Sequence, residues 1–466
     1  MEGGAVASAW WVSLPGSRRA TGLVLGLPGL GVAMRVWNAL RYPLDLGYDA
    51  PENWQYIQLL MQRWVLPAPE SGWSLGRPPF FYALAAALGR MLGRPEKALV
   101  VHATRLVSAS LGLLAIGASV ALVRRLDPQR PHRALLAGGL LLFLPVHLYM
   151  SAMLSEEISA SALGSLAVVV VAWDLGRKRP AASALRLAAG AGLLAGLALL
   201  TKLSGVLVVL AGSLAYGIAG LRGRGGERRR ALLRTLVFGG VASLVGGWFY
   251  LRNLLVHGYL YPHGLAVHAI HYLMPPGQRS LADYLRFPVA TFTQPDLLAP
   301  PLLHSVWGST YLGIWFDAHR QFLPLDAPGL GAAAAGLLVL GLVPTAAFGV
   351  GAFRAARRAL RHPGGPETLL LGLTLVTFAG YVAFTLENPW FVTLKGSFLL
   401  GLAVPFAVFA SDALAAWTER RRLAGPVWAA LALLVLLVVP TFTWGAAFEK
   451  PEAHGIVWWQ TSGATP

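Results

Sequence analysis

The sequence predicts an all-α protein that crosses a membrane about eleven times. Of its 466 residues, 56% are hydrophobic and only 13% are charged, and the mean hydropathy is +0.58. A soluble globule of this size needs more polar side chains than that to cover its surface. Apolar stretches of about 17 to 25 residues recur along the chain, and each is long enough to cross roughly 30 Å of hydrocarbon. Lys and Arg are concentrated in short connections between these stretches, as is typical of polytopic membrane proteins.

The basic clusters set the predicted topology, because short loops rich in Lys and Arg face the cytoplasm. Topology and contacts with anionic lipid headgroups explain the formal net charge of +17, so no nucleic acid is expected as a partner. The lack of cysteine excludes disulfides, thiolate metal sites and cysteine nucleophiles. Six clusters are expected on the cytoplasmic side, at 18–19, 124–133, 177–186, 222–234, 354–361 and 420–422.

The predicted elements follow this topology in chain order. The first apolar stretch lacks a convincing cleavage site and is expected to be an uncleaved helix. The stretch at 79–92 is too short to span and begins with Pro78-Pro79, so we expect a juxtamembrane or re-entrant helix. The spans are expected at about 22–40, 99–123, 134–150, 158–173, 187–200, 203–221 and 231–251, on both sides of 354–361, after 387–395, and before the C-terminal tail.

A single membrane domain is expected over 1–466, since no internal repeat or low-complexity linker is evident. Its extracytoplasmic parts are expected to be a first outer loop with juxtamembrane helices at 41–98 and a large outer loop at 252–329. In the first loop, Trp54, Ile57, Met61 and Trp64 recur at helical spacing. This pattern predicts an amphipathic helix along the membrane interface, with its indole rings at headgroup depth.

Three carboxylates stand at the predicted outer ends of helices. Asp49 precedes the interfacial helix, and Glu156 and Glu157 stand at the mouth of the span at 158–173. Asp49 and Glu52 also have the spacing of a capping box, and local sequence alone favours that cap over catalysis. Ionisable residues beside spans are costly and are functional by default. For Glu156 and Glu157, catalysis and helix capping are therefore equally supported.

Three cations share the predicted outer face with these carboxylates. Lys202 and Arg252 stand at the outer ends of spans, and Lys395 follows a short outer turn. Any one of them alone is better explained as a snorkelling anchor. Together they suit a phosphate group, which Arg252 is able to bind bidentately while the lysines act as point charges. Acids beside a phosphate clamp indicate a transferase.

The histidines of the large outer loop raise the question of a metal site. His268 and His271 have an i, i+3 spacing, but no recognised metal-binding motif is present. Each of these histidines is better explained as a surface residue, and no metal ligand is assigned from the sequence. No Walker loop or glycine-rich nucleotide fingerprint occurs either, so a soluble nucleotide donor lacks its usual site.

Seven short sequence blocks occur in order over most of the chain and together resemble a known family. They are Tyr48-Asp49 with Asn53, Arg77-Pro78-Pro79-Phe80-Phe81-Tyr82, and the segments 145–158, 201–205, 248–253, 305–308 and 394–397. The family is that of the C-type (GT-C) membrane glycosyltransferases that use polyprenyl-phosphate sugars. It includes protein O-mannosyltransferases and the bacterial lipid A aminoarabinose transferase. Asn53 stands where that family usually has a histidine, and this difference puts a metal-assisted step in doubt. No cofactor is therefore assigned, and the use of a divalent metal ion is left as an alternative.

The resemblance implies a GT-C-like bundle that transfers a sugar from a polyprenyl-phosphate donor to an acceptor hydroxyl, usually with inversion. The acceptor is expected on a protein, lipid or glycan, and membrane lipids are the further partners. The reaction is expected at the extracytoplasmic face of a prokaryotic plasma membrane. Two other functions remain open, a transporter or lipid flippase and an inactive scaffold with the same fold. A transporter often has paired repeats with broken helices near the midplane, whereas the polar residues here gather at one predicted surface, so the enzyme is preferred.

The resemblance also implies roles for the candidate residues. Asp49 is expected to be the general base. Glu157, or Glu156 in its place, is expected to orient the acceptor or the sugar. The cations expected to hold the donor phosphate and stabilise its growing charge are Lys202, Arg252 and Lys395. The other substrate-binding candidates are Asn53, Tyr82 and Trp307, of which Trp307 is expected to line the sugar pocket.

Overall fold

The computed structural model is helical, with no β-strand among the residues that it describes, and the predicted all-α class is confirmed. It describes residues 18–93, 96–177, 179–223, 225–262, 264–293, 295–296, 298–324, 327 and 329–445, without the side chains of 18–25 and 270–272. The described α-helices are α1 (Arg18–Arg41), α2 (Ala50–Arg63), α3 (Phe80–Met91), α4 (Lys97–Leu126), α5 (Pro131–Leu142), α6 (Pro145–Ala152), α7 (Glu157–Leu175), α8 (Ala181–Thr201), α9 (Gly205–Arg222), α10 (Gly226–Ala242), α11 (Trp248–His257), α12 (Leu281–Leu285), α13 (Ala290–Thr293), α14 (Pro300–His304), α15 (Val306–Trp315), α16 (Leu330–Arg361), α17 (Pro366–Glu387), α18 (Ala403–Thr418) and α19 (Arg421–Thr441).

Most of the predicted spans are present as long apolar helices. Within the described ranges, nine helices are long and apolar enough to cross a membrane, and the bent pair of α5 and α6 raises that number to ten. Helix α1 has 24 residues, which corresponds to about 36 Å, so it also reaches across the hydrocarbon. Length alone adds α1 to the nine or ten described candidates, which gives up to the eleven spans predicted. The chain is an integral membrane protein.

Helix α7 is the most enclosed of the nine described helices that qualify as spans on their own. In its most apolar window 78% of the residues are buried, against 17% for α19. Small residues allow its neighbours to approach closely; a Cβ added at Gly164 would lie 3.1 Å from the side chain of Val208 in α9. The start of α7, where the acidic pair stands, is therefore held inside the protein.

Two predicted spans are interrupted. The span expected at 134–150 is divided into α5 and α6, which meet at 48°. Pro145 begins α6, and a proline lacks the N–H of the helical ladder and clashes with the preceding turn, so one straight helix cannot pass through it. The span expected at 231–251 runs from α10 into α11 through a π-helical turn at Ser243–Gly247. Such turns add a residue to the helix without breaking it.

The first outer segment folds as two packed helices. Helix α3 is the short helix expected at 79–92, and α2 is the amphipathic helix. Ile57 and Met61 of α2 are buried in one apolar cluster with residues of α3, and the ring of Tyr56 stacks on that of Tyr82 at 4.3 Å. The apolar stripe of α2 thus contacts protein, whereas Trp64 at its end is 49% exposed. Its position in the membrane interface stays a prediction.

The segment between α11 and α16 contains short helices. They are the 3₁₀ helix Ala266–Leu273 and helices α12 to α15. Helix α15 is the best enclosed of them and begins at Ser305, whose Oγ accepts a hydrogen bond from the N–H of Gly308 at 3.1 Å. The motif Ser305 to Gly308 is thus a helix cap, and it fixes the position of Trp307 in the first turn.

Candidate active site

Asp49 stands where the connection from α1 meets α2. Its backbone is left-handed, with φ at +52°, which costs a residue other than glycine about 1 to 3 kcal/mol. The Asp49 side chain makes no hydrogen bond to the first turn of α2, so the capping box expected with Glu52 is wrong. Its carboxylate instead accepts a hydrogen bond from Arg77. The side chain is directed by a tertiary contact and not by the helix that it precedes.

The guanidinium of Arg77 joins two carboxylates. Nη2 donates to Oδ2 of Asp49 at 2.6 Å, and Nη1 lies 3.6 Å from Oε1 of Glu156. Nη1 also donates to Oδ1 of Asn53 at 3.1 Å. Burial works to lower the pKa of Arg77, but Asp49 and Glu156 outweigh it and hold that pKa above its usual value. A permanently charged arginine thus fixes two acids from different parts of the chain.

Asn53 and Tyr82 support this group from the protein interior. Asn53 is fully buried, and its Nδ2 donates to the carbonyl of Leu154 at 2.8 Å. The Tyr82 hydroxyl lies 3.0 Å from Oδ1 of Asn53 and 3.2 Å from Oε2 of Glu156. Burial and the neighbouring Glu156 raise the pKa of Tyr82, so its hydroxyl stays protonated. Tyr82 is therefore a hydrogen-bond donor beside the carboxylates, whereas Asn53 accepts from Arg77 and Tyr82 there.

The adjacent acids of α7 have different partners. Glu156 is the N-cap residue and Glu157 the first residue of the helix, and they are only 6% and 9% exposed. Glu156 faces Arg77, whereas Glu157 forms an ion pair with Lys202. Buried carboxylates need such cations, because an unpaired charge in the interior is costly. The sequence favours Glu157 as the second acid, but Glu156 is the one that shares a partner with Asp49.

Lys395 lies over an aromatic ring. Its Nζ is 4.2 Å from the centroid of Tyr48, which is a cation–π geometry. The negative charges of Asp49 and Glu157 and the positive charges of Arg77 and Lys202 all act on Lys395, so this lysine lies near both carboxylates. Within the described residues, no carboxylate stands within ion-pair distance of its Nζ. Its charge is therefore available to an anion.

His319 holds the ring of Tyr48 under this lysine. The Tyr48 hydroxyl lies 3.0 Å from Nδ1 of His319, and Nε2 lies 3.4 Å from the carbonyl of Phe391. Burial, and then the charge of Lys395, lower the pKa of His319 to about 3. The ring is neutral near pH 7, so we assign its proton to Nε2, which donates to the carbonyl, and Nδ1 accepts from Tyr48.

A crevice leads from Glu157 into the apolar part of the bundle. Beside Glu157 it is lined by Ser204 and Ser397, and further along by Gly164 and Leu373. Gly164 stands two turns after Glu157 on α7, which corresponds to about 10 Å, so the crevice follows that helix. Its volume is only about 30 Å³, so the crevice marks a polar point at the edge of the apolar bundle and does not itself hold a lipid chain.

No protein-family model matches this sequence, and no curated protein matches it, but solved structures do. The structure of ArnT from Cupriavidus metallidurans bound to undecaprenyl phosphate matches with a TM-score of 0.53 and 19% identity, over 89% of this chain and 64% of that one. The apo oligosaccharyltransferase of Archaeoglobus fulgidus matches with a TM-score of 0.52 and 15% identity, over 98% and 58%. AglB of the same organism, in complex with an inhibitory peptide and a dolichol-phosphate, has a TM-score of 0.50 and 16% identity, over 96% and 58%.

The chain has a GT-C-like fold. At these identities the likeness concerns the fold alone, and the chain spans 58 to 64% of the length of these solved proteins. The bundle expected from the sequence resemblance is thereby confirmed. What the individual residues do has to be argued from their own geometry.

Arg252 and Trp307 make their described hydrogen bonds outside the group of carboxylates. Arg252 donates to Oδ1 of Asn253 at 3.1 Å, and its charge acts on the Tyr56 hydroxyl. The indole N–H of Trp307 donates to the carbonyl of Tyr284 at 2.9 Å. Trp307 thus has a packing role in the outer segment, and its contact with a sugar stays a prediction.

The carboxylates do not form a suitable metal site. In the part of the chain that the structure describes, no three His, Cys, Asp or Glu side chains are grouped closely enough to hold a metal ion. The guanidinium of Arg77 already lies between Asp49 and Glu156, and its positive charge disfavours a divalent cation at the same oxygens. His268 lies 3.2 Å from the carbonyl of Trp73, and the side chain of His271 lies outside the described residues.

Three residues of the site were missed by sequence reasoning. Arg77 and Tyr48 belong to the sequence blocks that carry the family resemblance, but the sequence assigned neither of them a role in the site. An arginine next to two prolines in an otherwise apolar loop was a signal that it pairs with an acid. His319 follows α15 in a segment without a motif, and nothing in the sequence singles it out.

Proposed function

We propose that this chain is a glycosyltransferase that moves a sugar from a polyprenyl-phosphate donor to an acceptor hydroxyl. One observation carries the proposal: acids and lysines from distant parts of the chain meet in one group at the start of α7, where Glu157 also lines a narrow crevice. These residues are Asp49, Glu156, Glu157, Lys202 and Lys395. A lipid chain lying along the apolar bundle brings its phosphate to the lysines, and a sugar beyond the phosphate reaches the carboxylates.

Asp49 acts as the general base. Its side chain is 27% exposed, whereas those of Glu156 and Glu157 are only 8% and 11% exposed, so Asp49 is the acid that an acceptor reaches most easily. As the acceptor oxygen attacks the anomeric carbon, its proton passes to the Asp49 carboxylate. Arg77 is a positioning residue, because it aims Asp49 without itself receiving the proton.

The donor loses its phosphate as the new bond forms. The bond between the anomeric carbon and the phosphate oxygen breaks on the face opposite to the acceptor, so the configuration inverts, and polyprenyl phosphate leaves with the electron pair. Lys395 and Lys202 stabilise the negative charge that grows on the phosphate, and Arg252 adds a bidentate contact at its edge. Glu157 holds Lys202 in place, while Glu156 orients the sugar through its network with Tyr82.

The solved neighbours support a lipid-linked donor. The ArnT structure contains undecaprenyl phosphate, and the AglB structure contains dolichol-phosphate with an inhibitory peptide. By analogy of fold, the donor of this chain is a polyprenyl-linked sugar, and the acceptor is a protein, lipid or glycan. We place the reaction at the extracytoplasmic face of a prokaryotic plasma membrane, because the basic clusters are predicted to face the cytoplasm.

The test is sugar transfer by the purified full-length chain in proteoliposomes. A panel of undecaprenyl-phosphate sugars with radiolabelled sugar groups is offered together with a cell-envelope extract as the source of acceptors. The labelled acceptor and the released undecaprenyl phosphate are both measured. We expect transfer by the wild type, and about 100-fold or greater loss for Asp49→Asn with donor binding retained.

Glu52→Gln is the matched control, since Glu52 is an acid in the first turn of the same helix. We expect it to keep transfer within about twofold of the wild type. Wild-type rates for Asp49→Asn remove Asp49 as the base. Label that crosses the bilayer with its phosphate bond intact supports a flippase instead. Arg252→Ala is expected to weaken donor binding more than acceptor binding, and equal effects contradict its place at the phosphate.

The membrane face is tested separately with reporter fusions. Fusions in the segments 42–48 and 153–155 are expected to report the non-cytoplasmic side, together with fusions in 388–394. If the first two segments report opposite sides, the shared site and the proposed function both fail.

A further inference from the structure

A second charged cavity lies at the other end of α7. Asp174 stands about 25 Å along the helix from Glu157, so this cavity lies across the bundle from the carboxylates of the proposed active site. It has a volume of about 380 Å³, which exceeds the space that a phosphate group needs. Its walls come from the end of α7, the start of α8, the end of α9 and the start of α10.

The cavity is positively charged and contains buried polar atoms. Four arginines and two acids line it, so the formal charge of its wall is +2: Arg177, Arg179, Arg230, Arg234, Asp174 and Glu227. Asp174 is fully buried, accepts a hydrogen bond from the Tyr216 hydroxyl at 3.1 Å, and is paired with Arg234 at 3.1 Å. That acid holds the Arg234 guanidinium in the wall.

Two donors of the wall lack acceptors within the described structure. Nε of Arg234 and Nε of Arg179 are buried and have no hydrogen-bond partner; the nearest acid oxygen to Nε of Arg179 is Oδ1 of Asp174 at 3.9 Å. A buried guanidinium N–H without an acceptor is unfavourable. A phosphate oxygen satisfies such donors, because arginine presents several N–H groups in one plane.

The rim of the cavity continues into an exposed apolar surface. Leu233 lines the cavity and is 39% exposed. Leu232, the preceding residue, is 46% exposed, and Leu236, about one turn further along α10, is 70% exposed. Since α10 belongs to a candidate span, these leucines offer contact to acyl chains directly beside the arginines.

We propose that this cavity binds the anionic phosphate group of a membrane lipid, with the acyl chains lying along the leucines of α10. The ligand chemistry is that of a phosphodiester or phosphomonoester. The binding site is separate from the proposed active site and does not depend on the proposed function.

The experiment measures lipid binding to the purified full-length chain in mixed micelles. Phosphatidylglycerol and phosphatidylcholine are titrated in parallel, and bound lipid is counted by native mass spectrometry. We expect saturable binding of phosphatidylglycerol to the wild type, and binding weakened about tenfold or more in Arg177→Gln/Arg179→Gln. Equal binding of the two lipids overturns the proposal.

A matched control removes the same charge from the same face. Arg228 and Arg229 are exposed residues of α10 that do not line the cavity. Arg228→Gln/Arg229→Gln is expected to bind phosphatidylglycerol within about twofold of the wild type. If this variant loses as much binding as the cavity variant, the attraction is general to the basic face and the proposed site is wrong.

Two further measurements test the buried ion pair and a soluble ligand. Asp174→Asn/Arg234→Gln removes the ion pair as a unit, so that no lone charge is left, and it is expected to weaken lipid binding as well. Inorganic phosphate at millimolar concentration is the soluble ligand. If phosphate displaces the lipid only in the wild type and in Arg228→Gln/Arg229→Gln, the phosphate group is the part that is recognised. Displacement by phosphate without any preference among lipids overturns the lipid as its source.

Discussion

The two ends of the bundle bury acids in different ways. At the end with the proposed active site, which we call the active-site end, Asp49 and Glu156 share Arg77, whereas the Lys395 ammonium lies over the ring of Tyr48. At the other end a group that we call the Asp412 cluster joins the end of α4, the start of α5, the end of α16 and the middle of α18. It consists of Asp127, Arg130, Arg133, Arg354, Arg358 and Asp412.

The Asp412 cluster surrounds its acids with arginines. Asp412 is 5% exposed and lies 3.2 Å from Arg130, 3.7 Å from Arg133 and 3.6 Å from Arg358. The arginines of the cluster therefore form ion pairs with its acids, and disrupting these pairs is expected to destabilise the packing of the helices. The active-site end keeps a lysine without a described acid partner beside a partly exposed carboxylate. The comparison indicates that the Asp412 cluster serves the fold, whereas the arrangement around Lys395 fits the anionic donor that we propose.

After loss of the proposed base itself, Arg77→Gln is expected to have the largest effect on transfer. It leaves Asp49 and Glu156 without their shared cation, and the base is no longer aimed; misplacing a reacting group by about 1 Å costs on the order of 100-fold in rate. The measurement is the single-turnover rate of sugar transfer at saturating donor. Arg63→Gln, at an exposed arginine of the neighbouring helix, is the control and is expected to keep the wild-type rate. A full rate for Arg77→Gln shows that Asp49 does not need this contact.

Asp412→Ala is expected to have the largest effect on stability. It leaves the buried Arg133 and its neighbours without one of their two acids, which costs about 3 kcal/mol. The measurement is the midpoint of thermal unfolding in detergent. Glu419→Ala is the control, since its acid is 48% exposed and lies 3.6 Å from His132, and it is expected to cost less than about 1 kcal/mol. Transfer per folded molecule is expected to be unchanged in both, and a selective loss of transfer in Asp412→Ala contradicts the comparison.

Much of the fold was predictable from the sequence, because span length and charge asymmetry are local signals. The site was less predictable, because its contacts are long-range. Asp49 and Arg77 are 28 residues apart, and the spacing of Asp49 and Glu52 indicates a local cap that the fold does not use. Tertiary pairing outweighs the cap, since a buried arginine requires an acid. The choice between Glu156 and Glu157 also depends on how α7 is rotated about its own axis. The identity of two neighbouring residues does not reveal that rotation.

Acidification is expected to weaken the active-site end. The folded pKa of His319 is about 3, below the unfolded value of about 6.5. Below about pH 6.5 the His319 imidazole is protonated in the unfolded chain but stays neutral in the folded protein. The free energy of unfolding therefore falls as the pH falls below about 6.5. At pH 5 this loss amounts to about 2 kcal/mol. His319→Gln is expected to flatten the change in unfolding midpoint between pH 7 and pH 5, and His362→Gln, at an exposed histidine, is expected to leave it unchanged. An unchanged slope in His319→Gln assigns the acid sensitivity to other groups.

The smallest expected effect compares two tyrosines that each face a buried acid, one at each end of the bundle. The Tyr82 hydroxyl lies 3.2 Å from Glu156, and the Tyr216 hydroxyl lies 3.1 Å from Asp174. Tyr82→Phe and Tyr216→Phe are each expected to cost about 1 kcal/mol of stability, since each leaves a buried acceptor with one donor fewer. Only Tyr82→Phe is expected to slow transfer as well, by about fivefold to tenfold, because Tyr82 also helps to position Asn53 and Glu156 beside the base. If the two variants have equal transfer rates and equal stability, the hydrogen bonds of Tyr82 have only a structural role, as those of Tyr216 do.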